Sequence, residues 1–300
     1  LLTGLFLLAL SAAGAETFRF ATYNVENFLD QATQSRRAKS ADAKAQVRDN
    51  LLALEPDVVA LQEMGTPSAL AELQSALREA GLNLPHAEWV GGWDTNIHVA
   101  VLSRFPFVRR LPHTNAAYLL SGRRLHVSRG FAELDIQINP DYAFTLLVAH
   151  LKSKLPVGVA DESEMRLEEA KLLRRLVDEH LAKRPEANLL VCGDFNDVYS
   201  SPPLKTLVGR GPRALTDTRP AERNGDTRLP TLPLSRFPRT VTWTHYYGAE
   251  DTYSRIDYIL VSRGMKPEWK PEDTYVFTAP NWGLASDHRP LVATFVASDR

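Results

Sequence analysis

Thiols are all but missing from this 300-residue chain. Cys192 is its single cysteine, so no intrachain disulfide can form and no thiolate cluster can hold a metal. Stability must therefore come from a packed core, and 300 residues with 44% hydrophobic content are enough for a sizeable one. An excess of one charge is missing too. Thirty-five basic against thirty-six acidic side chains give a net charge of -1, which excludes the global basic field that drives indiscriminate nucleic-acid binding. Any polyanion must be met by local charges. No repeat of the ~20 to 50 residue kind is present, and no segment reads as a domain linker. Long apolar runs are confined to the front, "LLTGLFLLALSAAGAET", where Ala13 and Ala15 form an A-x-A arrangement. That run is short for a bilayer span, the alternatives being an anchor or a buried helix. It reads as the apolar and cleavage regions of a signal peptide over residues 1–15, lacking its starting Met and basic leader. The expectation is a secreted or periplasmic protein, monomeric and without stable membrane insertion, whose remaining residues 16–300 form one catalytic domain.

What is present alternates between strand-like and helix-like periodicity, the mark of an α/β or α+β domain. Ser40 is placed to cap a helix whose Ala43, Val47, Leu51 and Leu54 share a face, stopped by Pro56. Thr66 and Pro67 suit the start of a second helix, with Leu70, Leu73, Leu77 and Ala80 inward and Gly81 just past its end. A third is expected from about Asp161 to Lys183, with Leu173, Val177 and Leu181 on one stripe. Strands are expected at "FRFATY", "DVVALQ", "IHVAVLS", "GFAELDIQI", "FTLLVAH", "NLLVCG", "IDYILVS" and "LVATFV". Residues 200–242 break this rhythm. They are rich in proline, carry Arg210, Arg213, Arg219, Arg223, Arg228, Arg236 and Arg239, and read as a long irregular connection, either a phosphate-binding rim or a solvated surface.

Polar residues stand repeatedly at strand ends. Asn24 follows "FRFATY", Glu63 follows "DVVALQ", His150 ends "FTLLVAH", Asp194 and Asn196 follow "NLLVCG", Asp257 sits in "SRIDYILVS", and Asp287 with His288 precedes the last strand. Any one of them alone is ordinary, since Asn and Asp shape turns and a lone histidine is usually structural. Ligands of α/β sheets gather beyond strand ends, so convergence of these residues would make an acidic pocket. Crowded carboxylates need a cation or shared protons, and an oxygen-rich donor set suits Mg2+ or Mn2+.

The fragments "TYNVENF", "LQEMG", "AHLKSK", "GDFND", "SRIDYILVS" and "SDHRP" stand in the order found in the endonuclease/exonuclease/phosphatase superfamily, which the chain resembles over residues 18 to 297. The resemblance implies a four-layer sandwich, two mixed β-sheets face to face with helices outside, and a site at one rim. It implies metal ligation by Asn24, Glu63 and Asp287, with Glu26 in support. Asp194 and Asn196 would hold the attacking water and the phosphate, with Asp197 left to local scaffolding, and His288 would touch the phosphate while Asp257 fixes its tautomer. His150 occupies a position shared with deoxyribonuclease I-like and sphingomyelinase-like members. Arg129 and Lys152 are the substrate-binding candidates, joined at the rim by Lys154, Arg123 and Arg124.

Such a set supplies what phosphodiester hydrolysis needs: an in-line water, neutralised phosphate oxygens and a stabilised leaving group. Either His150 or His288 can be the acid. The implied activity is that of a Mg2+- or Mn2+-dependent phosphodiester hydrolase, first of all a nuclease acting on nucleic acid. The alternatives are a sphingomyelinase-like or inositol-phosphate enzyme, for which Trp89 and Trp93 would be the lipid-facing aromatics, and an inactive phosphate-binding module. The intact set of site residues speaks against the last.

Overall fold

The computed structural model of the protein describes residues 16–225 and 240–299. The leader at residues 1–15 and Arg228, Arg236 and Arg239 lie outside the described residues. In chain order the strands are β1 (Thr17–Phe28), β2 (Val58–Met64), β3 (His86–Val90), β4 (His98–Ser103), β5 (Phe107–Arg110), β6 (Ala117–Leu120), β7 (Arg123–His126), β8 (Phe131–Asn139) and β9 (Tyr142–His150). They continue with β10 (Leu189–Asp194), β11 (Thr216–Asp217), β12 (Ala221–Glu222), β13 (His245–Tyr247), β14 (Thr252–Ser254), β15 (Asp257–Val261), β16 (Trp269–Val276) and β17 (Leu291–Val296). The helices are α1 (Ala41–Leu54), α2 (Pro67–Glu79), α3 (Glu162–Lys183), α4 (Pro202–Val208) and α5 (Trp282–Ala285).

A seven-stranded sheet runs β12-β16-β17-β1-β2-β4-β3 and a six-stranded one β11-β15-β10-β9-β8-β5. Both are mixed. The central pairs β1/β2 and β9/β10 are parallel, and a parallel pair needs a crossover, which α1 and α3 supply. Period-two alternation then sorts the side chains into layers. Phe18, Phe20, Val58 and Ala60 face inward from the first sheet and pack against Leu146, Val148, Leu190, Cys192 and Ile259 from the second. The opposite faces are covered by helices: Ala21, Tyr23, Val59 and Leu61 meet Val47, Leu51, Leu70 and Leu73, while Leu147, Val191 and Leu260 meet Leu173, Val177 and Leu181. The result is the expected four-layer arrangement, helices outside two facing sheets. Cys192 sits in the central layer, fully buried, its thiol pushed far up by burial, so it packs and does not react.

All eight expected strands form, and the three helices start where their caps predict. Ser40 Oγ accepts from Ala43 N–H at 3.2 Å, Thr66 Oγ1 from Ser68 N–H, and Asp161 from Ser163 and Glu164 N–H. Two expectations are corrected. Ala80 is exposed at the C-cap of α2, and Ala69 is buried on its inner face instead. The described part of 200–242 is irregular only in part, since short elements form within it. Ser201 caps α4, whose first turn takes Pro202 and Pro203 because proline needs no N–H there, and β11 and β12 add an edge to each sheet.

One glycine is obligatory. Gly193 has φ +134°, and a Cβ there would stand 1.9 Å from the Ala149 carbonyl oxygen on the neighbouring strand. Gly193→Ala should destabilise the protein by at least about 3 kcal/mol through backbone strain and collision. Thermal denaturation measures this directly, and an unchanged melting temperature would refute the close approach of β9 and β10.

Candidate active site

The same alternation that fills the core places the polar strand ends between the sheets. On β1, Phe18 and Phe20 point inward, so Asn24 does too. On β9 and β10 the inward series ends in His150 and Asp194, which are direct register partners. Strand β15 runs antiparallel to β10, so its first residue, Asp257, lies opposite Asp194 at the same end. Three titratable side chains thus stand abreast at one rim. Glu63 reaches that rim by a local irregularity. The β2–β4 register shifts between Leu61 and Met64, and Glu63 takes φ +60°, which re-aims a side chain that plain alternation would send outward.

Asn24 joins the two sheets. Its Nδ2 donates to Asp194 Oδ2 at 3.0 Å and lies 3.4 Å from Glu63 Oε1 and 3.5 Å from His288 Nε2, while its Oδ1 accepts from Glu26 N–H at 2.9 Å. Asp194 Oδ1 accepts from Asn196 N–H at 2.8 Å, and Asn196, at φ +54°, turns its amide onto the Leu151 carbonyl. His150 Nε2 lies 3.4 Å and His288 Nε2 3.7 Å from Asp194 Oδ2. His288 Nδ1 is bonded to Asp257 Oδ2 at 2.8 Å, which leaves Nε2 facing the cleft. Ser286 ties the last element in place, donating to the Asn24 carbonyl and accepting from His288 N–H.

Burial and charge give these groups different proton states. Burial first, then the cations Arg129, His288, Arg36 and Lys152, hold His150 well below the usual imidazole range, so it is neutral. His288 goes the other way: against the cost of burial, Asp257 and Asp194 raise it well above that range, so it carries a proton. Burial pushes Asp194 up to about 7, with His288 opposing and Asp257 adding to the rise. Asp287 is held below the usual carboxylate range despite burial, by His245 and His288. Glu26 is raised by burial and by Asp287, with Lys39 opposing and Glu63 contributing.

The structure thus brings Asn24, Glu63, His150, Asp194, Asn196, Asp257, Asp287 and His288 together. Arg129 is buried behind His150, its Nε 3.6 Å from Asp94 and its Nη1 donating to the Leu151 carbonyl. Lys152 is 4% exposed and turns its ammonium onto the carbonyls of Ser153 and Leu155 in its own loop. Asp197 pairs with Arg166 at 3.0 Å, a scaffold contact. Among the loop arginines, Arg213 pairs with Asp178 on α3 and Arg223 with Asp273 on β16. Trp89 packs on His98 and donates to the Gly65 carbonyl, whereas Trp93 is exposed against His126. A cavity of about 690 Å3 lies at the opposite end of β1, where Arg19 faces Glu55 and Arg104 faces Asp57.

Several site residues escaped the sequence reading. Arg36 lies 3.6 Å from Glu63, Lys39 3.4 Å from Glu26, and His245 3.6 Å from Asp287. The signal for His245 was its place in "THYYGAEDTYS", two short polar-aromatic runs around a turn, which is a hairpin pattern.

The model of the Endonuclease/Exonuclease/phosphatase family matches residues 21–288. The chain belongs to this family. Its members are metal-dependent phosphoester hydrolases, and so is this protein. Solved structures agree in fold. The human nocturnin catalytic domain is 16% identical with a TM-score of 0.63, over 94% of this chain and 95% of that one. Truncated TDP2 of Caenorhabditis elegans is 17% identical at 0.61, over 94% and 98%. Sphingomyelinase C of Streptomyces griseocarneus is 18% identical at 0.59, over 93% and 99%. No curated protein matches the chain in sequence.

The donor set fits a divalent cation. Asp287 and Glu63 act on Glu26 as like charges, and carboxylates gathered at one rim are hard oxygen donors in want of a cation, while Asn24 turns its amide nitrogen to Glu63 and keeps its oxygen on Glu26 N–H. Among the described residues the three carboxylates do not converge within 4.8 Å; the groups that do are His245/Asp287/His288 and Asp194/Asp257/His288.

Because Asp257 sustains the charge of His288, Asp257→Asn should lower the pKa of His288. If the charged imidazole is the active form, the basic limb of the pH–activity profile then moves to lower pH. Activity at the optimum should fall by about 10–100-fold. An unmoved basic limb would remove His288 from that role.

Proposed function

We propose that the protein is a secreted Mg2+- or Mn2+-dependent phosphodiester hydrolase, and specifically a nuclease that cuts by in-line attack of water. The observation that carries this reading is the division of labour between buried groups within 3.7 Å of Asp194: a carboxyl near neutrality, a neutral imidazole and a protonated imidazole. Asp194, oriented by Asn24 and Asn196, binds the attacking water and takes its proton. A base with a pKa near 7 is matched to that task. His288 carries its proton at Nε2, held there by Asp257, and donates it to the departing oxygen. His150 stays neutral and holds a phosphoryl oxygen through a hydrogen bond. Glu63 and Asp287 would hold the cation, with Asn24 donating its amide N–H to the Glu63 carboxylate, and the cation would supply Lewis-acid stabilisation of the phosphoryl charge.

Nucleic acid is favoured by what borders the rim. Tyr247 is 43% exposed, beside His245, and offers a face on which a base can stack. Arg123 and Arg124 are exposed on β7, with Lys154 in the loop that follows His150. One observation favours a lipid-directed phosphodiesterase instead. Leu119, Leu155, Val157 and Val159 are exposed, and Arg123 Nη1 lies 3.4 Å from the Val159 carbonyl, which brings hairpin and loop together as an apolar surface with cations. Among the described residues no helix is long and apolar enough to cross a membrane.

Plasmid DNA, structured RNA and sphingomyelin vesicles, each with Mg2+, Mn2+ or a chelator, separate these readings. Metal-dependent nicking of DNA or cleavage of RNA is expected, abolished by chelation and reduced about 10^2- to 10^4-fold in His288→Ala and at least as much in Asp194→Asn. Turnover of lipid alone would replace the nuclease reading, and full activity in Asp194→Asn would overturn the mechanism.

A further inference from the structure

His245 is unused by the mechanism above, yet the fold pins it beside the reacting groups. The hairpin β13–β14 docks its first strand on the segment before β17: His245 and His288 form an antiparallel bridge, Tyr246 N–H donates to the Asp287 carbonyl at 2.9 Å, and Arg289 N–H donates to the Thr244 carbonyl at 2.6 Å. Bridge partners project on one side, which brings the two imidazoles to 4.5 Å between ring centres. Thr244 Oγ1 meanwhile accepts from Ile256 and Asp257 N–H, so the hairpin is fixed to β15 as well.

Asp287 stands between the two rings. Its Oδ2 is 3.6 Å from His245 Nε2 and its Oδ1 is 3.9 Å from His288 Nε2, both longer than hydrogen bonds. All three donor atoms lie within 4.8 Å of one another. The two carboxylate–imidazole spacings use different oxygens of Asp287, and tetrahedral coordination at bond lengths of ~2.0–2.1 Å places ligand atoms ~3.3 Å apart, so binding closes the three side chains by up to about 1.5 Å. The opposite nitrogens are already held: His288 Nδ1 by Asp257 at 2.8 Å, and His245 Nδ1 3.5 Å from Ser254 Oγ. Carboxylate or hydroxyl support on the far nitrogen is the arrangement that orients metal-binding imidazoles.

We propose that His245, Asp287 and His288 form a second cation site that shares the Asp287 carboxylate with the first, its two-imidazole, one-carboxylate donor set taking a transition ion such as Zn2+ or Co2+ in preference to Mg2+. The oxygen donors around Glu63 suit a hard cation, whereas imidazole nitrogen selects later first-row ions. The other Asp/His group, Asp194/Asp257/His288, is not such a vertex, because Asp257 occupies Nδ1 of His288 rather than the nitrogen facing the cleft. An ion in the new site takes the Nε2 lone pair and releases the proton that His288 carries there, so occupancy and turnover compete for one atom.

The test is direct binding of Co2+ to the mature chain in the presence of excess Mg2+, read by visible absorption and by titration calorimetry, with no substrate present. The wild-type protein should bind one Co2+ with the visible bands of a low-coordinate nitrogen-containing site. His245→Ala and the larger His245→Gln should each weaken binding by at least about 100-fold and abolish those bands. His126→Ala, which removes a histidine elsewhere, should leave both unchanged. No saturable Co2+ binding in the wild type, or identical spectra and affinity in both His245 variants with unaltered folding by circular dichroism, would overturn the site. Neither readout depends on turnover, so failure of the nuclease reading would not be mistaken for failure here.

Discussion

Two sheets packed face to face demand apolar side chains wherever their inward positions meet, and release that demand only where the strands run out. The central layer obeys this from Phe18 to Ile259, and the polar inward residues come at its edge. Thr22 and Gln62 satisfy each other just inside the rim, with Gln62 Nε2 donating to Thr22 Oγ1 at 3.1 Å. One step further out, the inward positions are Asn24, His150, Asp194 and Asp257, which stand together at the rim. The bond from Asn24 to Asp194 closes the gap between sheets at that point. The site is therefore a consequence of the sandwich, assembled from the ends of β1, β2, β9 and β10 and the start of β15.

Burial then makes the chemistry. In water His150 and His288 would be near-equivalent, but here burial and then neighbouring cations hold His150 down, while Asp257 and Asp194 raise His288 against the cost of burial, and the two part in opposite directions. Asp194 lies between them, and its rise towards neutrality reflects desolvation that a carboxylate at the open surface would not feel. Glu169 extends the same logic to the scaffold. It is fully buried in α3, its carboxyl pushed up to about 6 by burial, and accepts from Ser128 and Lys152 N–H, which anchors the segments that carry Arg129 and the loop after His150.

Much of this was legible in the chain. Strands with strong apolar patterns and helices with a capping residue formed as read, because their local preference and their burial agree. Ala80 was misread since its helical phase matches the buried face, but α2 ends before it. The segment after Tyr199 was misread because prolines suggested breakage where Pro202 and Pro203 begin a helix. Glu63 could be named only by resemblance, as plain alternation would send it to the outer face and a positive φ turns it inward. Arg36 carries no local signature of a site, and the hairpin pattern around His245 marks its strand but not its place at the rim, since long-range contacts bring both there. The roles of Lys152 and Arg129 likewise depended on side-chain direction, which spacing does not encode.

The central claim is that the inward strand ends of both sheets form one phosphate-binding cleft. Imidazole resonances of His150 and His288 followed by NMR during titration with inorganic phosphate in the presence of Mg2+ test it most directly. Both should shift together along one saturating curve, and Asn24→Ala should weaken that curve for both. Shifts in neither ring, or in one ring alone with no effect of Asn24, would contradict the account.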